Sequence, residues 1–108
     1  MNANLDRTLA ALADPNRRRV VELLREHPRR AGELARALRL NPSALSRHLR
    51  TLKTGGLIEE THPEFDARVR VYSLRAGAVA GLRDWLADTE RMWSEQLAGF
   101  KAHVERGP

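Results

Sequence analysis

Gly32-Glu33-Leu34-Ala35-Arg36-Ala37-Leu38-Arg39-Leu40-Asn41-Pro42-Ser43-Ala44-Leu45-Ser46-Arg47-His48-Leu49-Arg50-Thr51-Leu52 is the stretch that decides the fold. Leu34 and Leu38 repeat at i, i+4, and Leu45, Leu49 and Leu52 form a second stripe at i, i+4, i+7. That is the spacing of two short amphipathic helices. Leu40 falls in the brief turn between them, which completes the pattern of a helix-turn-helix. Both stripes must share one core, so the opposite face of the second helix turns outward. This face carries Ser43, Ser46, Arg47 and Arg50, and no acid. Between Leu34 and Ile58 stand five bases (Arg36, Arg39, Arg47, Arg50, Lys53) and no Asp or Glu. A helix with this surface suits the major groove of DNA.

The charge of the whole chain points the same way. Residues 1–33 carry seven bases and five acids, and residues 59–108 carry seven bases and nine acids. The formal net charge of +5 therefore equals the five bases of the segment between them. An excess concentrated on one helical unit is the footprint of a phosphate-binding surface. With 108 residues a single domain over 1–108 is expected. Aromatic residues are 5% of the chain, so its core should be built from Leu, Val and Ala. The absence of Cys removes disulfides, thiolate nucleophiles and sulfur-ligated metals, and it fits a reducing cytoplasm, the expected location. Met1-Asn2-Ala3-Asn4-Leu5-Asp6-Arg7 lacks the apolar core of a signal peptide. No run approaches the ~20 apolar residues of a membrane span, so no membrane partner is expected. No nucleophile–base pair, phosphate loop or paired carboxylates in an apolar setting occurs, so the chain reads as not an enzyme and needs no cofactor.

Outward from the central stretch, a first helix is expected over about residues 4–13, with Leu5, Leu9 and Leu12 on one face. Asp14-Pro15 supplies an N-cap and a proline at the first helical position for a second helix to about Glu26, stopped by Pro28. Asn41-Pro42 repeats that signal for the helix to Thr54, and either Gly55 or Gly56 can take the left-handed conformation that ends it. The helix-turn-helix thus occupies 31–54. Leu57–His62 and Arg68–Leu74 read as two strands joined through Pro63-Glu64-Phe65-Asp66-Ala67, a wing hairpin over 57–74. The last segment, 78–106, reads as one helix of roughly 40 Å. Along it Val79, Leu86, Trp93 and Phe100 recur seven residues apart, with Leu82 widening the stripe. So broad a band calls for a partner helix. The fold class is mainly α with a small β-hairpin: a winged helix-turn-helix with N- and C-terminal dimerisation helices. Leu5, Leu9, Leu12, Val79, Leu82, Leu86, Trp93 and Phe100 are the expected interface of a homodimer.

Leu12-Ala13-Asp14-Pro15-Asn16-Arg17-Arg18-Arg19-Val20-Val21-Glu22-Leu23-Leu24, Gly32-Glu33-Leu34-Ala35, Ser43-Ala44-Leu45-Ser46-Arg47-His48-Leu49, Gly56-Leu57-Ile58 and Arg70-Val71-Tyr72, in that order, resemble the ArsR-type winged-helix repressors. The likeness covers about residues 9–75. It implies a homodimeric repressor of transcription on an inverted-repeat operator, released from DNA when an effector binds. Three departures stand out. Leu34-Ala35-Arg36-Ala37-Leu38 offers none of the Cys ligands common in the metal-sensing members. Arg39 stands where a turn Gly is usual, and a left-handed conformation there would cost on the order of 1 kcal/mol. The wing tip His62-Pro63-Glu64-Phe65-Asp66-Ala67 is longer and more acidic than the usual basic tip.

Ser43, Ala44, Ser46 and Arg47, in the first half of the helix, are the candidates for reading base edges. Arg50 and Lys53, further along, and Arg17 are candidates for holding phosphates, as are Arg68 and Arg70 on the wing. His48, beside Leu45 and Leu49, reads as a half-buried structural histidine. No metal site is expected. The partners are double-stranded DNA, a second copy of the chain and a small-molecule effector of open identity. Two alternatives remain open: a winged-helix module that grips another protein without DNA, and a metal sensor pairing Asp84 or Asp88 with His103 across a dimer.

Overall fold

The computed structural model describes residues 3–63, 66 and 68–107. Its elements run α1 (Ala3–Leu12), α2 (Pro15–Glu26), β1 (Arg29–Arg30), α3 (Ala31–Leu38), α4 (Pro42–Thr54), β2 (Ile58–Thr61), β3 (Val71–Leu74) and α5 (Ala80–Arg106). The two Pro-started helices are capped as their sequences dictate. Asp14 Oδ1 accepts the N–H groups of Asn16 at 2.7 Å and Arg17 at 3.3 Å, and Asn41 Oδ1 accepts that of Ala44 at 2.8 Å. Each satisfies donors that a helix start leaves without partners. Partial desolvation opposes the Asp14 charge, but those two N–H groups and the nearby His48 and Arg17 hold its carboxyl below the usual range.

α3 ends on Arg39 in the left-handed conformation, φ 56° and ψ 43°. The N–H groups of Arg39 and Leu40 then close back onto Arg36 O at 3.3 Å and Ala35 O at 3.0 Å, which sets the sharp turn into α4. At the other end of α4, Gly56 takes the positive φ (76°) and Gly55 stays right-handed. A Cβ on Gly55 would fit tightly, 3.3 Å from Thr51 O and 3.4 Å from the Ala11 Cβ.

The core joins α2, α3, α4 and the sheet through Val20, Leu23, Leu24, Leu34, Leu45, Leu49, Leu52, Leu57, Ile58 and Tyr72, with Ala11 of α1 at its edge. Leu34 and Leu52, the two ends of the helix-turn-helix stripes, are 0% exposed. Two corrections to the sequence reading follow from this packing. The sheet is three-stranded, in the order β1-β3-β2, because Arg29 and Arg30 pair with Tyr72 and Val71. The strands are shorter than expected: Leu57 and His62 lie outside β2, and Arg68, Val69 and Arg70 lie outside β3. α1 packs through Thr8 and Ala11 and leaves Leu9 44% exposed; the Thr8 hydroxyl is satisfied by Asn4 O at 2.9 Å. Leu12 packs partly buried against its own core, and Leu5 and Leu82 are half-buried across the groove between α1 and the start of α5. Of the wing tip, Glu64, Phe65 and Ala67 lie outside the described residues.

α5 has no buried residue along its 27 positions. At 1.5 Å per residue it is about 40 Å long, and it stretches the molecule to 73 × 24 × 24 Å. Val79, Leu86, Trp93 and Phe100 are 46%, 51%, 63% and 67% exposed. An apolar stripe so continuous is larger than single exposed side chains account for.

Candidate nucleic-acid interface

α4 is fixed from below and free from above. Leu45, Leu49 and Leu52 pin its inner face, and α3 crosses behind it. Ser43, Ser46, Arg47, Arg50 and Lys53 are all exposed on the opposite side, while Ala44 is half-buried between the two faces. Thr51 turns its hydroxyl back onto Arg47 O at 3.1 Å. The guanidinium groups of Arg47 and Arg50 make no hydrogen bond or ion pair among the described residues. Their planar donor forks are therefore available for a base edge or a phosphate.

The other candidates have neighbours already. Lys53 Nζ donates to Glu60 Oε2 at 3.1 Å. Arg70 Nε stands 3.8 Å from Glu60 Oε1. Arg68 grips Asp66 with two bonds of 3.0 Å, to Oδ1 and Oδ2, and this pairing holds the Asp66 carboxyl below its ordinary range. Glu60 itself accepts the Tyr72 hydroxyl at 2.8 Å. Register explains that bond, since Glu60 and Tyr72 are cross-strand partners in β2 and β3. The Tyr72 hydroxyl, followed by Lys53 and Arg70, holds the Glu60 carboxyl below its ordinary range in spite of partial desolvation. Burial, then the bond to Glu60, pushes the Tyr72 phenol up.

Arg17, expected to hold a phosphate, is engaged within the chain. Its Nε donates to Ala11 O at 2.6 Å and its Nη2 to Ala10 O at 3.1 Å. Both acceptors are carbonyls at the end of α1, and Ala10 O also accepts the Ala13 N–H at 3.2 Å. A third nitrogen, Nη1, stands 3.4 Å from His48 Nδ1, which accepts when the imidazole proton is on Nε2. Arg17 is thus a strap joining α1, α2 and α4, and His48 is half-buried beside it. Arg18 repeats the device with Leu12 O at 2.7 Å.

Sequence reasoning missed Glu60 and Tyr72. The available signal was their position across the hairpin, which follows once the strands are paired from Ile58 and Leu74. A second cationic group was also missed. Arg30, Arg36, Arg68 and Arg70 line a cavity of about 350 Å³ at the start of α3, beside the wing. No three His, Cys, Asp or Glu residues come together as an ion site among the described residues. None of the described helices is long and apolar enough to cross a membrane.

Residues 14–60 match the family model for bacterial regulatory proteins of the arsR family. The HTH-type transcriptional regulator Rv2034 of Mycobacterium tuberculosis is 40% identical over 100 residues, 93% of this chain and 88% of that protein. An ArsR-like transcriptional regulator from Rhodococcus sp. RHA1 superposes with a TM-score of 0.81 at 25% identity, over 98% of this chain and 94% of that one. The homodimeric winged helix-turn-helix DNA-binding domain Mb0332 of Mycobacterium bovis gives 0.64 at 26% identity, over 86% and 83% of the two chains.

Proposed function

This chain belongs to the ArsR family of bacterial regulatory proteins, and on that premise we propose that it is a homodimeric repressor whose α4 reads an inverted-repeat operator. It is a DNA-binding transcriptional regulator and not an enzyme. The observation that carries the finer reading is the outward face of α4, acid-free and bearing Arg47 and Arg50, which have no partner among the described residues. Ser43, Ser46 and Arg47 contact base edges, and Arg50, Lys53 and Arg70 contact phosphates.

The exposed stripe of α5 supports the dimer. Val79, Leu86, Trp93 and Phe100 recur seven residues apart. An antiparallel pairing about the point midway between Leu86 and Trp93 sets each of the four against another of the four. The two copies of α4 then enter successive major grooves about 34 Å apart. With no Cys in the chain, an effector that releases DNA acts through chemistry other than thiol-bound metal.

Selection of bound duplexes from a random pool tests this reading. The enriched sequences should be inverted repeats with half-sites about one helical turn apart. Enrichment of single, unpaired half-sites would contradict the dimeric reading, and no enrichment would contradict reading by α4.

A further inference from the structure

Glu60 is a carboxylate set among the bases of the α4–wing face, which a plain phosphate-binding surface does not call for. It lies in a cleft of about 250 Å³ between α4 and the sheet, lined also by Ser46, Arg50, Lys53 and Arg70. Its side chain is 18% exposed. One oxygen takes the Tyr72 hydroxyl at 2.8 Å and the other takes Lys53 at 3.1 Å. Arg70 Nε stands 3.8 Å from the oxygen that Tyr72 holds, and the His62 ring 3.9 Å from the other. Satisfying Tyr72 requires one acceptor. It does not require Lys53 from the last turn of α4 and Arg70 from ahead of β3 to converge on the same carboxylate.

We propose that Glu60 is a positioning residue for DNA binding, which holds Lys53 and Arg70 in one register and lowers the sequence-independent attraction of this face for phosphate. The inference rests on the reading that α4 faces DNA. A free lysine on a four-carbon stem reaches whichever phosphate is near, and so favours every sequence alike. Tied to Glu60 and thereby to Tyr72 in the core, its ammonium is offered at a fixed place. A duplex seated correctly by its bases meets it there, and one seated otherwise does not. The carboxylate also cancels one of the two cationic charges it gathers. The Tyr72 hydroxyl and Lys53 hold the Glu60 carboxyl below its ordinary range, so it stays charged well below neutral pH as well as at it.

Glu60→Gln preserves the shape and leaves an amide oxygen to accept from Tyr72. Its binding to a labelled mixed-sequence duplex and to the duplex selected by the wild-type protein should be titrated at several salt concentrations. Mixed-sequence DNA should be bound roughly three- to tenfold more tightly at low salt, with a salt slope steeper by about 0.9, the equivalent of one more phosphate contact. The preference for the selected duplex should fall. Glu60→Asp keeps the charge but draws the oxygens back from Lys53 and Arg70. It should keep the wild-type slope and lose part of the preference. A folded Glu60→Gln protein with an unchanged or shallower slope overturns the proposal. Full preference in Glu60→Asp also overturns it, whether or not the Gln variant folds. Wild-type protein that binds neither duplex at low salt overturns the DNA reading of α4 itself.

Discussion

Replacing Arg17 by Met separates a structural strap from a phosphate ligand. The apolar stem is retained and the guanidinium is lost, so Ala10 O and Ala11 O lose donors at 3.1 and 2.6 Å. A hydrogen bond from a charged donor contributes about 1.5–3 kcal/mol. Two such bonds, discounted by about half because Arg17 is only half-buried and water competes for its partners, leave about 2 kcal/mol. For a domain of this size that is about 8 °C in Tm. Thermal unfolding followed by circular dichroism, at one fixed protein concentration because a dimer's Tm depends on it, should show that loss. The salt slope of DNA binding by the folded variant should match the wild type. An unchanged Tm with a slope shallower by about one unit would refute the assignment and return Arg17 to the phosphates.

Arg39→Gly relieves a left-handed residue at φ 56°. About 1–2 kcal/mol of strain is removed, against about 0.5–1 kcal/mol of extra chain entropy in the unfolded state, so urea denaturation should show a small gain in stability. Replacing Trp93 and Phe100 together by polar residues should convert a dimer to monomer in sedimentation; unaltered dimer mass would exclude α5 from the interface. The depressed Glu60 and Asp14 carboxyls contribute stability above the unfolded carboxylate values near pH 4 and lose it as pH falls through their lower folded values. The urea midpoint should therefore drop between about pH 5 and pH 2, and less in Glu60→Gln than in the wild type.

What the sequence reveals of this fold is what local chemistry enforces. Asp14-Pro15 and Asn41-Pro42 mark helix starts because a short side-chain acceptor and a proline suit those positions whatever surrounds them. The leucines of α3 and α4 declare their inner faces because only one face of each can be buried. Arg39 was singled out through the family resemblance, as a side chain where a turn Gly is usual, and its φ of 56° bears that out. The missed features are all made by partners distant in the chain. Arg29 and Arg30 have no strand alternation of their own and become β1 only by pairing with β3. α1 is held by Thr8 and Ala11, small residues that a search for large apolar stripes passes over, and they allow the close approach over Gly55. Arg17 reads as one of three exposed bases until the chain between α1 and α2 brings the α1 carbonyls within its reach. Among the candidate DNA contacts, the outward placement of Ser43, Ser46, Arg47 and Arg50 was legible. The convergence of Lys53 and Arg70 on Glu60 was not, because it depends on strand register.

The measurement closest to the central claim is a fluorescence titration of wild type, Arg47→Ala and Lys53→Ala against a selected duplex and a scrambled one at two salt concentrations. Arg47→Ala should cost roughly 1–3 kcal/mol per half-site on the selected duplex, with little change on the scrambled one. Lys53→Ala should make the salt slope shallower and weaken the selected duplex more than the scrambled one, because Glu60 presents the ammonium to a correctly seated duplex. If neither substitution alters binding to either duplex, α4 is not in the groove and the account fails.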